Sequence, residues 1–221
     1  MKIKLFLITI VVIFSLLFNI GCEKNREYNE EEVLFNAEKL ISQSIVLNEI
    51  YYGEGIPFTK DESLAEGYYY PASSEYLSKI NVKTINDIKA LTRSCYSSSM
   101  ADSIISTKLT SIMSDSGIVS YARYYQKYDS LSDEEECIMV YKEYPLYLID
   151  EVVYHYDSLS ISEVRGEVIY VSLKTTVTKE GIGSQERDLT VALIEEADGW
   201  RLDSPTYMRY VDANYYNDLK K

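Results

Sequence analysis

The chain has 221 residues, a formal charge of −13, 46% hydrophobic residues, 22 tyrosines and a single histidine. That length and apolar content are enough for one domain with a proper core. The acidity excludes a nucleic-acid partner, because phosphates demand a basic face, and speaks against adsorption to anionic lipid; it suits a basic protein partner or plain solubility.

The N-terminus has Lys2 and Lys4, then an apolar run over residues 5–18 broken by Thr9 and Ser15, then Asn19-Ile20-Gly21-Cys22. A basic start, a short apolar run and a small residue before the cut make a secretory signal. The run is shorter than the roughly 20 residues of a spanning helix. An uncleaved anchor and a soluble secreted form are the rival readings, and all three place residues 23–221 outside the cytoplasm. The Gly21-Cys22 junction resembles the bacterial lipoprotein signal, although Asn19 stands where that signal carries an aliphatic residue. The resemblance implies that residues 1–21 are removed and that Cys22 is diacylated. Two acyl chains hold a protein stably to a bilayer where one does not. Residues 22–32, charged and nearly free of apolar side chains, read as the linker of that lipid anchor. Loss of Lys2 and Lys4 would take the charge from −13 to −15.

Residues 32–50 have helical period, with Val33, Ala37, Leu40, Ser44 and Leu47 on one face and Leu34, Ile41 and Ile45 beside it. Asn29 with Glu32 has the spacing of a capping box, and Gly53 and Gly55 end the helix. Residues 56–70 read as loop. Thr84 caps a second helix carrying Ile85, Ile88, Leu91 and Cys95, with Asp87 in its first turn. Ser99 with Asp102 starts a third, bearing Ile104, Ile105, Leu109 and Ile112, and Asp115-Ser116-Gly117 closes it.

From Gly117 the period is two. Strands are expected over residues 118–128, 137–144, 149–161, 166–178 and 187–195, with residues 133–136 as a solvated loop and residues 180–184 as a hairpin turn. Ile169, Val171, Leu173 and Val177 face in, as do Leu189, Val191 and Leu193. Asp198-Gly199 turns into Trp200-Arg201-Leu202, and residues 207–219 form a weak helix or tail. Helices followed by an antiparallel meander give an α+β fold, with the N-terminal helices packed on a strongly curved sheet, and residues 33–221 form one domain.

The long hairpin around Gly181-Ile182-Gly183 and the close Ala197-Asp198-Gly199-Trp200-Arg201-Leu202-Asp203-Ser204-Pro205 resemble the cone-shaped nuclear transport factor 2-like and the cystatin-like folds. The stretch from Tyr68-Tyr69-Tyr70-Pro71 through Thr84-Ile85-Asn86-Asp87-Ile88-Lys89 to Ala101 is similar to lipoproteins of low-GC Gram-positive bacteria, some grouped with inhibitors of cell-wall DL-endopeptidases. This resemblance implies a membrane-tethered binding protein with a cell-wall protein as partner.

Catalytic motifs are scarce. There is no Gly-x-Ser-x-Gly elbow, no Ser three residues before a Lys, and no phosphate loop, since Gly181-Ile182-Gly183 lies in a hairpin. His155, Cys95, Cys137 and a carboxylate lack the ligand spacing of a zinc site. No metal, no cofactor and no enzymatic activity are therefore expected. One alternative stays open. If the strand face bearing Glu151, His155 and Asp157 were concave, these three could line a pocket and move protons; otherwise they are a polar face in water. Cys95 and Cys137 either pair as a disulfide, as exported proteins allow, or stand as two small buried residues. The tyrosines likewise either form contact surfaces for sugars or proteins, or replace Phe and Trp at the core rim.

Overall fold

The computed structural model describes residues 28–114, 117–128, 135–143 and 149–211. Cys22 and the signal segment lie outside these residues, as do residues 212–219 of the expected tail.

Helix α1 (Glu30–Tyr52) begins at Asn29, whose Oδ1 accepts the amides of Glu31 at 3.1 Å and Glu32 at 3.4 Å. Glu30, Glu31 and Glu32 thus form its first turn, where acids suit the helix dipole. They belong to the helix and not to a linker. Val33, Ala37, Leu40, Ile41, Ser44 and Leu47 are buried as their period requires, and each large aliphatic among them contributes about 2 kcal/mol. Gly53 ends the helix, its amide on the Asn48 and Glu49 carbonyls.

The segment expected as loop holds a 3-10 turn (Glu62–Leu64) and strand β1 (Tyr69–Pro71). Short helix α2 (Ser74–Lys79), capped by Ser73, had no clear periodic signal in six residues. Helix α3 (Ile85–Cys95) carries a full capping box: Thr84 Oγ1 accepts the Asp87 amide, and Asp87 accepts the Thr84 amide. The Lys83 and Thr84 amides hold the Asp87 carboxyl below its usual range. Helix α4 (Ser98–Lys108) is capped by Ser97 rather than Ser99: the Ser97 hydroxyl accepts the Met100 amide and also donates to Asp203 across the fold. It ends at Leu109, so Asp115-Ser116-Gly117 does not close it, and Ile112 lies in a strand.

The strands divide among three open sheets rather than forming one curved meander. Strands β2 (Ile112–Ser114) and β3 (Gly117–Ser120) form a ribbon. Strands β4 (Tyr124–Tyr128) and β5 (Glu135–Tyr141) join β1 in the order β1-β5-β4. The expected strand over residues 118–128 is therefore two strands in two sheets, and Glu135 and Glu136 belong to β5 rather than to a loop. The third sheet runs β6-β7-β8-β9, with β6 (Glu151–Arg165), β7 (Val168–Lys179), β8 (Gly183–Glu196) and β9 (Gly199–Leu202). The fold is α+β, as the sequence implies.

Helix α1 lies against β6 and β9 and also touches α3. On β7 the buried residues are Ile169, Val171, Leu173, Thr175 and Val177; on β8 they include Leu189, Val191 and Leu193. The opposite face is left to Ser172, Lys174, Thr176 and Thr190. This is the one-sided alternation of a half-covered antiparallel sheet. One core runs from Val33 on α1 to Met208 in the C-terminal segment. That segment is held by a buried polar knot. Thr206 Oγ1 meets Ser44 Oγ at 2.6 Å and Asn48 Nδ2 at 2.8 Å, and its carbonyl accepts from the Tyr154 hydroxyl. Residues 207–211 lie in neither helix nor strand. Among the described residues no helix is long and apolar enough to cross a membrane.

Candidate functional site: a tyrosine face

Successive residues of a strand point to opposite faces, so each tyrosine doublet in a strand must split. In the β1-β5-β4 sheet, Tyr70, Val140, Tyr124 and Ile138 face inward and are buried. The Tyr124 hydroxyl donates to the Ile50 carbonyl at 2.7 Å and accepts the Ile56 amide, and burial pushes its pKa up. These are tyrosines of the core.

Their neighbours Tyr69, Tyr125 and Tyr141 point outward. Tyr121, just before β4, and Tyr68, just before β1, close over them. The rings touch throughout: Tyr69–Tyr125 at 4.7 Å, Tyr69–Tyr141 at 5.2 Å and Tyr121–Tyr141 stacked at 4.9 Å. Tyr68 stands edge-on to Tyr121 and Tyr141. Met139, paired with Pro71 and Tyr125 in the same register, is fully buried. Of the two fates the sequence offers its tyrosines, core and contact surface, Tyr70 and Tyr124 take the core, while Tyr68 is exposed and Tyr69, Tyr121, Tyr125 and Tyr141 are half-buried.

Polar groups pin the layer from below. The Tyr69 hydroxyl donates to the Ala122 carbonyl at 2.8 Å, and burial raises its pKa to about 12. The Tyr125 hydroxyl donates to Glu66 at 2.6 Å, and Glu66 also pairs with Lys127 at 3.1 Å. The Tyr125 bond, followed by the Lys127 contact, holds the Glu66 carboxyl below its usual range. The Lys142 ammonium sits over the Tyr70 and Tyr68 rings at 5.2 and 5.9 Å, within the reach of a cation–π contact. It also donates to the Tyr70 hydroxyl.

The residues expected as an acid–base group are not gathered. Val152, Tyr154 and Tyr156 face α1, where Tyr156 accepts from Ser42. Glu151, His155 and Asp157 take the other side of β6. His155 Nε2 meets Thr176 Oγ1 at 2.8 Å, and Asp157 is exposed. Only Glu151 reaches a cleft, of about 400 Å³, between the end of α1 and the start of β6. Ile45, Val152, Tyr154, Tyr207 and Met208 form its apolar wall. Of its acids, Glu49 accepts the Glu54 amide and Asp150 the Tyr210 amide. Glu54 and Glu151 also line it, so the cleft gathers four carboxylates with no His, Lys or Arg among its walls.

Cys95 and Cys137 make separate contacts and share no bond. Cys95 Sγ reaches the Leu40 carbonyl at 3.4 Å inside the core, where burial raises its pKa to about 12; Cys137 Sγ reaches Met139 Sδ at 3.5 Å on β5. Among the described residues no group of His, Cys, Asp and Glu could hold a metal ion.

No protein-family model matches the chain, and neither a curated protein nor a solved structure matches it.

Proposed function

We propose that this is a non-enzymatic binding protein of the cell envelope, tethered outside the cytoplasm by a lipid on Cys22 and making its contact through the tyrosine face. The observation that carries the reading is the layer of Tyr68, Tyr69, Tyr121, Tyr125 and Tyr141. Large rigid rings with polar tips bind at little entropic cost, and such rings are enriched at the centres of binding interfaces. The lipoprotein-like junction and the likeness to wall-endopeptidase inhibitors supply the setting, in which the bound face restrains or modulates a wall hydrolase. The cystatin-like likeness belongs to this reading in open form, a long helix laid on an antiparallel sheet, and the reading does not require a closed cone. A small-molecule enzyme built on Glu151, His155 and Asp157 is the weaker alternative, because only one of the three reaches a cleft.

Two experiments test the proposal. Metabolic acyl labelling of the full chain should disappear on Cys22→Ala; labelling that persists, or that never occurs, removes the tether. The full chain in detergent should change the rate at which a wall endopeptidase digests purified wall, and Tyr121→Ala with Tyr141→Ala should restore the rate. An unchanged rate with the parent chain would count against the modulator reading.

A further inference from the structure

The tyrosine face has an uneven outer edge. Tyr121 and Tyr141 are stacked at 20°, and Tyr68 stands against them at 64° and 82°. The stacked pair turns one face of each ring to the other, so what remains is a ring face beside an upright wall. Such a corner takes a flat ligand on one side.

The hydroxyls differ from those beneath. Tyr69, Tyr125 and Tyr70 donate to Ala122, Glu66 and Glu62. The hydroxyls of Tyr68, Tyr121 and Tyr141 bond no described residue. Each can donate and accept, so the corner presents three unused hydroxyls around an apolar face.

Charge narrows the ligand further. Glu66 is paired with Lys127. Glu62 takes the Tyr70 hydroxyl, which in turn takes the Lys142 ammonium. Glu143, which follows Lys142, is exposed. In a chain of charge −13, this surface is close to balanced. A polyproline segment fits slots between separated aromatic rings; here the rings touch one another and leave no slot.

We propose that the corner of Tyr68, Tyr121 and Tyr141 binds an uncharged sugar ring of a glycan, with the apolar face of the pyranose on an outer ring face and its hydroxyls on the three phenols. The inference rests on the tyrosine face being the binding surface, and it names the ligand class.

The test is calorimetric titration of the full chain in detergent micelles with a β-1,4 tetramer of N-acetylglucosamine and a β-1,4 tetramer of glucose. Saturable binding of either supports the proposal, and the tighter arm tells whether the acetamido group is read. Tyr141→Ala should weaken binding about tenfold, the factor of one stacking contact. Tyr68→Phe and Tyr121→Phe keep the rings and should weaken it about threefold each through lost hydroxyls; these two report even if the alanine variant does not fold. The proposal is overturned if neither tetramer binds at about 10 mM, a limit of roughly 3 kcal/mol. It is also overturned if folded variants bind like the parent, or if a proline decamer binds the face and the sugars do not. Should the chain still alter the endopeptidase while binding no sugar, the ligand class fails and the envelope-binding role stands.

Discussion

Replacing Thr206 by Val tests the polar knot that holds the C-terminal segment on α1. The two side chains have nearly the same shape, so the change removes one hydroxyl and little else. Asn48, 2% exposed, then loses the acceptor 2.8 Å from its amide nitrogen. Ser44 keeps a partner, because its hydroxyl also reaches the Ile41 carbonyl at 2.6 Å. One orphaned buried donor costs about 1–3 kcal/mol, and the added methyl returns up to about 0.8 kcal/mol. The net loss is about 1–2 kcal/mol, which for a chain of this size lowers Tm by about 3–7 °C. Urea unfolding followed by Trp200 fluorescence should show a lower midpoint at unchanged slope. The double variant Asn48→Leu, Thr206→Val removes donor and acceptor together and should cost less than the sum of the single changes. A Thr206→Val midpoint equal to the parent's, or strict additivity in the double variant, would refute this account of the knot.

Gly55 has φ of 85°, and a Cβ there would run into the Arg123 guanidinium and the Tyr124 hydroxyl. Gly55→Ala should therefore cost about 2–4 kcal/mol in thermal unfolding, whereas Gly67→Ala, strained in φ but with open space around it, should cost about 1 kcal/mol. Thr84→Ala removes the cap of α3 and should cost about 1 kcal/mol by urea denaturation, with no change at the tyrosine face. Alkali should unfold the chain. Burial raises Tyr51, Tyr96 and Tyr124 above their ordinary value and takes Cys95 and Tyr154 to about 12. Groups whose folded pKa is raised support the fold fully below their unfolded values of about 9 and 10, and that support is lost as pH rises towards the folded ones. Absorbance of phenolate should show the buried set ionising only together with unfolding; a single smooth titration of every tyrosine in a folded chain would contradict the burial. Cys95 should resist alkylation at pH 8 until urea unfolds the protein.

The three longer helices and the large hairpins were legible because each carries its own period. The α1 stripe from Val33 to Leu47 and the β7–β8 alternation from Ile169 to Leu193 can be read from spacing alone. The smaller sheet was not legible. Strand β1 has three residues, too few to show a period, and it pairs with β5 about 70 positions away. The split of residues 118–128 depends on which sheet accepts each half, a tertiary matter. The tyrosine face follows from the same limit. The doublets are visible, but which ring of each points outward depends on the register Tyr69 to Tyr141 and Tyr125 to Met139, which no local pattern specifies. The inward side of β6 could be read from Val152, Tyr154 and Tyr156, and that parity already turned His155 away from the core.

Strand β6 is an edge of its sheet, 15 residues long. A straight edge of that length is a template on which a second copy could add its own strand and start a polymer. Its ladder to β7 instead jumps between His155 and Ser160 and again between Ile161 and Glu163, and in the first jump Ser158 takes the Lys174 amide that a strand carbonyl would otherwise accept. The two irregularities leave only short straight runs on the open side. A second copy thus meets no long straight run of unpaired backbone on β6.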